Sequence, residues 1–147
     1  MKLIEASYEI LPTHGHTLPD IYKDIERAGR TCYKSEDKIT ETSAKDFVGR
    51  MLNMKHLATC EFGTVYLKIP VTHWGYLHYS GEDSEYDFDY FPTHRCINPY
   101  SRMVIVDNMA YITTNYRVLV ENNWLGDLKY LCEPTEYHHK RYTVKYI

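Results

Sequence analysis

Apolar and polar positions along the chain recur with two different periods, and the changes of period mark out the elements. Leu18, Ile21, Ile25 and Ala28 share one helical face, with Thr17 placed to cap that helix, Pro19 in its first turn and Gly29 placed to end it. Phe47, Val48, Met51 and Leu52 form the apolar side of a second helix that starts at Ser43, or at Thr40 a little earlier, and ends at Lys55. Tyr116, Leu119, Val120 and Trp124 predict a third, short helix, capped by Thr113 or Thr114 and ended within residues 122–126. Extended segments are expected at residues 3–10, 61–70 and 140–147, the last alternating Tyr142, Val144 and Tyr146 with Thr143, Lys145 and Ile147. Two apolar runs at 103–106 and 109–112 flank Asp107-Asn108, residues that tolerate the positive φ of a two-residue hairpin turn. Residues 71–100 are aromatic and turn-rich and show no sustained period.

These elements predict one α+β domain over residues 1–147, a mainly antiparallel sheet with helices packed on one side and a hairpin and helix added to it. A length of 147 residues suits one folding unit with a substantial core, and 44% apolar with 25% charged residues is ordinary globular composition. The 15 tyrosines are the unusual entry, and they suit half-buried strands and contact surfaces more than a dry interior. A formal net charge of −3 with no basic face argues against non-specific nucleic-acid binding. The acidic run at 82–89 reads as a solvated loop, because it lacks the central Gly and closing Glu of a calcium loop. No apolar run reaches membrane-spanning length and the start is unlike a signal peptide, so a cytoplasmic protein with reduced cysteines is expected.

The stretch at residues 25–63 carries a resemblance. Ala28-Gly29-Arg30-Thr31-Cys32 at a helix end, a polar loop, a second helix, then His56 and Glu61 leading into a strand are similar in order to the flavin-dependent thymidylate synthases, the ThyX family. The resemblance implies FAD as cofactor, with His56 and Glu61 contacting the flavin, Cys32 near its phosphates and Arg30 nearby. It also implies dUMP, methylenetetrahydrofolate and NADPH as reaction partners and a homotetramer whose active sites form between subunits. Residues 98–123, within a probable insertion at 71–137, resemble a segment found in one branch of the family. This chain departs from the pattern at Lys55, where the family has Gly, at Ala58, where it has Ser or Thr, and at Phe62, where it has His. The Arg-His-Arg signature that follows the last strand in the family is not in the sequence. Catalysis by this chain alone is therefore not expected. The alternatives are a binding or assembly module that keeps the scaffold, or one half of a split enzyme.

Taken without the resemblance, the same residues have plainer roles. A His closing an amphipathic helix favours the helix dipole, Arg30 suits an ion pair, and Cys32 and Cys60 suit buried, inert thiols. The eight histidines show no zinc-site spacing, and His138 and His139, being adjacent, would point apart, so no metal is expected. His94-Arg95 with Ser101-Arg102 only superficially echoes the missing signature and reads as a loop. An uncovered last strand would expose a pairing edge and predicts self-association.

Overall fold

The computed structural model describes residues 3–70 and 98–146. Helix α1 (Leu18–Cys32) opens on a capping box, in which Thr17 accepts from the Asp20 amide while the Asp20 carboxylate accepts from the Thr17 amide. Helix α2 spans Ala44–Asn53, and α3 spans Tyr116–Glu121. All three end in the same way. The residue two past each helix turns left-handed (Lys34 at φ 49°, Lys55 at φ 57°, Asn123 at φ 58°), and the next amide reaches back to a carbonyl five residues earlier. These are Schellman caps built without glycine. Gly29 was expected to end α1, but the helix runs three residues beyond it, and a Cβ at Gly29 would lie 2.4 Å from the Phe47 ring. This glycine serves the close approach of α1 to α2, not a helix end.

The main sheet has the order β2 (Thr64–Pro70), β4 (Met109–Asn115), β3 (Arg102–Val106), all antiparallel. Asp107 and Asn108 make the hairpin turn between β3 and β4 with φ values of 49° and 60°, the mirror-image geometry that matches strand twist. The register sets Val65, Leu67 and Ile69 of β2 on the same face as Ala110 and Ile112 of β4. Ile21 and Ile25 of α1, Val48 of α2 and Leu119 of α3 pack into the core that this face forms. The hairpin therefore supplies the central strand of the sheet. Asn115, rather than either threonine before it, caps α3 by accepting from the Val118 amide. The strand after His56 starts at Thr64, three residues later than expected, because residues Leu57–Phe62 wind into a 3-10 turn.

The opposite face carries Tyr66 and Tyr111, and it is closed by the segment around residues 131–141. His138 is buried there, edge-on to both tyrosine rings at 5.4 Å. This accounts for part of the tyrosine excess. The remaining strands, β1 (Tyr8–Leu11) and β5 (Thr143–Tyr146), form a separate antiparallel ribbon. The first and last strands are shorter than the extended segments expected at 3–10 and 140–147. Helices do lie on one face of an antiparallel sheet, but the strands divide into two sheets. Tyr8, Ile10, Val144 and Tyr146 are cross-strand partners on one face of the ribbon, and all four are exposed.

Candidate functional site

A cavity of about 450 Å³ opens between the ribbon, α1 and the start of β2. Its apolar wall comes from Ile10, Leu11, Pro12, Phe62 and Tyr142, and its polar wall includes Arg27, Lys140 and Arg141. A concave site of a few hundred Å³, mostly apolar with a few fixed polar groups, is the usual form of a small-molecule pocket. Arg27 is anchored by Nη1 donating to the Pro12 carbonyl at 2.6 Å and by Nη2 at 3.3 Å from Asp24 Oδ1. Arg141 is held by carbonyls alone: Nη1 donates to Thr114 O at 3.3 Å and Nη2 to Glu61 O at 3.2 Å. Its own amide donates to the Tyr66 hydroxyl at 3.1 Å.

The charge balance of the cavity follows from those partners. Asp24, the acidic group of its wall, is already satisfied by Thr13, His14 and Arg27. Among the described residues no carboxylate pairs within 4.0 Å with Lys140 or Arg141. Arg141 is exposed as a residue, and partial desolvation of its guanidinium by the surrounding protein pulls its pKa below the usual arginine value. An arginine remains charged under that shift. The cavity thus presents two cations without an ion-paired carboxylate among the described residues, Arg141 feeling the Glu61 charge only at longer range, beside an apolar and aromatic wall with Tyr66 and His16 packed edge-on at 5.4 Å. Such a wall suits an anion attached to a planar or apolar body.

The four residues singled out in the sequence do not line this cavity. Arg30 is buried, with Nε 3.3 Å from Glu26 Oε1 and its guanidinium over the Phe47 ring. Cys32 is the last residue of α1 and is exposed, against the expectation of a buried thiol. His56 follows the α2 cap, is exposed, and lies 3.2 Å from the hydroxyl of Tyr33, so it shares a rim with the residue next to Cys32. Glu61 accepts from Arg117 Nη1 at 2.6 Å, and Arg117 Nε donates to Glu121 at 2.8 Å. No hydrogen bond or ion pair among the described residues joins any two of the four. Of the four, Glu61 alone reaches the cavity residues, through its carbonyl, which helps to hold Arg141. Lys140 and Arg141 were read as the start of the last strand. That strand begins at Thr143, which leaves both as cavity wall.

Geometry also bears on the cysteines and histidines among the described residues. His138 Nδ1 accepts from the Thr135 amide at 3.0 Å, so its proton is on Nε2, which donates to Leu67 O at 2.8 Å. The nearby Cys132, 4.0 Å from Nε2, therefore has no base to deprotonate it, and burial raises its pKa. Burial likewise raises Cys60. His139, the neighbour of His138, faces solvent. Among the described residues no three His, Cys, Asp or Glu side chains converge as metal ligands. His73, His78, His94, Arg95, Cys96 and the acidic run at 82–89 lie outside the described residues.

Burial also lowers the His138 pKa, which gives a pH dependence with a definite sign. The folded state resists protonation of His138 while the unfolded state accepts it, so the unfolded chain binds more protons as pH falls. Stability from this group is complete above the unfolded histidine pKa of about 6.5 and is lost as pH falls through the lower folded value. Urea midpoints measured from pH 8 to pH 5 should fall, and His138→Gln should flatten that slope. An equal slope in the variant would refute the assignment.

Compared with models of known protein families, with curated proteins and with solved structures, the chain matches none.

Proposed function

We propose that this chain is a ThyX-like nucleotide-binding scaffold and that the cavity bounded by Arg27, Lys140 and Arg141 takes the phosphate end of the nucleotide. The observation that carries this reading is the pair of cations without carboxylate partners among the described residues beside an apolar wall. Both dUMP and FAD, the ligands that the family resemblance implies, join phosphate to a planar ring system. Arg141 is the main anchor, since a guanidinium fixed by two carbonyls keeps its remaining N–H groups for an oxyanion at little ordering cost. The exposed face of the β1–β5 ribbon supports association of copies, as the family resemblance implies. Folate, NADPH and thymidylate formation follow from the resemblance alone, and no step of that chemistry is assigned to residues here.

Calorimetric titration of the full chain with dUMP and with FAD tests the proposal. At least one should bind, and Arg141→Met should weaken it by roughly 30-fold or more, the usual cost of losing charge-assisted hydrogen bonds to a phosphate. Failure of both ligands to bind the unaltered chain, or unchanged affinity in R141M, would reject it.

A further inference from the structure

A second cavity, about 530 Å³, lies against α1 and the loop at 39–41. Lys23, Glu26 and Arg27 of α1, His14 before it and Glu41 of the loop contribute to its wall. Most of these charges are already committed. Asp24 Oδ1 accepts from the His14 amide at 3.1 Å and from His14 Nδ1 at 2.6 Å, and it lies 3.3 Å from Arg27 Nη2. Asp24 Oδ2 accepts from the Thr13 hydroxyl at 2.7 Å. Glu26 is taken by Arg30 on one oxygen and by the Ser43 hydroxyl, at 2.9 Å, on the other. Asp20, the remaining acid near His14 on this helix, accepts from Thr17.

The Asp24 carboxylate accepts but does not donate, so it fixes the His14 proton on Nδ1. That leaves Nε2 as the exchangeable position, without a partner among the described residues. The Lys23 ammonium makes no hydrogen bond or ion pair among the described residues, although the Asp20 carboxylate acts on both Lys23 and His14 at longer range, and Glu41 is the one uncommitted acid of the wall. We propose that this cavity is a pH-switched site for a tetrahedral oxyanion, the phosphate or sulfate group of a small ligand. Lys23 supplies the permanent positive charge. His14 is the switch: neutral, its Nε2 lone pair faces an oxyanion unfavourably, whereas protonated it donates a charge-assisted hydrogen bond. Asp24 keeps the ring oriented in both states, and Glu41 weakens the site by repulsion. The first cavity is not required for any of this, because Lys23, Glu41 and His14 do not border it.

Inorganic sulfate is the probe, since its own charge is constant across the range. At fixed ionic strength, its affinity for the full chain should rise about tenfold as the pH is lowered, as expected of a site in which an imidazole gains charge. The ¹⁵N signal of His14 Nε2 should shift on titration. His14→Gln should abolish the pH dependence, and Lys23→Gln should weaken binding about tenfold at high and low pH alike while keeping that dependence. Glu41→Gln should tighten binding. Lys23 and Glu41 make no hydrogen bond or ion pair among the described residues, so their variants remain decisive if H14Q fails to fold. Inorganic phosphate compared with glycerol phosphate then separates a free anion from an ester: equal affinity indicates the former and tighter ester binding the latter. No response at His14 Nε2, or sulfate affinity unchanged in K23Q, would overturn the site.

Discussion

Arg30→Met is expected to lower the stability of the fold by about 3–5 kcal/mol, the range for removing one partner of a buried ion pair. Glu26 is 1% exposed, and it would retain only the Ser43 hydroxyl as a partner. The surroundings offer nothing in exchange: the Arg30 guanidinium lies 4.8 Å from the Phe47 ring centroid, and Phe47 in turn packs against Gly29. The loss therefore comes from an uncompensated carboxylate in the α1–α2 interface and should appear as a lower urea midpoint with unchanged m. The double replacement Glu26→Met with Arg30→Met should recover most of the stability, because an apolar pair of similar volume has no charge to desolvate. A double variant no more stable than R30M would show that the ion pair is not the cause. Titration of the same proteins with FAD would then separate this structural role of Arg30 from the cofactor contact implied by the family resemblance.

Gly63→Ala should cost about 2 kcal/mol, within the range for overfilling a packed core. Gly63 joins the 3-10 turn to β2, and its carbonyl accepts from the Tyr116 amide at 2.8 Å, which fixes the start of α3. A Cβ there would lie 2.7 Å from Ile25 Cδ1 and 2.8 Å from Ile21 Cγ2. Ile21 and Ile25 are 1% and 0% exposed, at the centre of the core, so neither can turn outwards. Ile25→Val removes the offending Cδ1. Combined with Gly63→Ala it should destabilise by less than the sum of the two single changes, and additive losses in chemical denaturation would contradict the clash.

Both effects come from tertiary contacts, and neither was visible in the pattern of the chain. The pattern did place Gly29 correctly as a special position, but for the wrong reason: local rules connect a glycine to a helix end, whereas here the constraint is the ring of Phe47. The helix itself ends at Cys32, and Lys34, two residues on, takes the left-handed backbone of the cap that α1 makes. Lys55 repeats this at α2, and a non-glycine residue in that conformation carries a cost of about 1 kcal/mol. For the candidate sites the gap is wider. The groups that hold Arg141 at the cavity are carbonyls 27 and 80 residues away in the chain, and no spacing rule anticipates them. His14 and Asp24 are ten residues apart across a turn and a helix start, so their contact depends on the path of the chain between them.

What the sequence determined by itself was therefore local. It contained the amphipathic faces of α1 and α2, the Thr17 cap and the Asp107-Asn108 turn, because each depends on neighbours within a few residues and on φ preferences those residues carry anywhere. The tertiary structure alone decided which charges are spent and which are free. It committed Arg30 to Glu26 and Glu61 to Arg117, while leaving Lys140, Arg141, Lys23 and the Nε2 of His14 unpaired by carboxylates among the described residues. The physical reason is that a charge acquires its role from what packs against it, and those partners meet only when distant segments fold together.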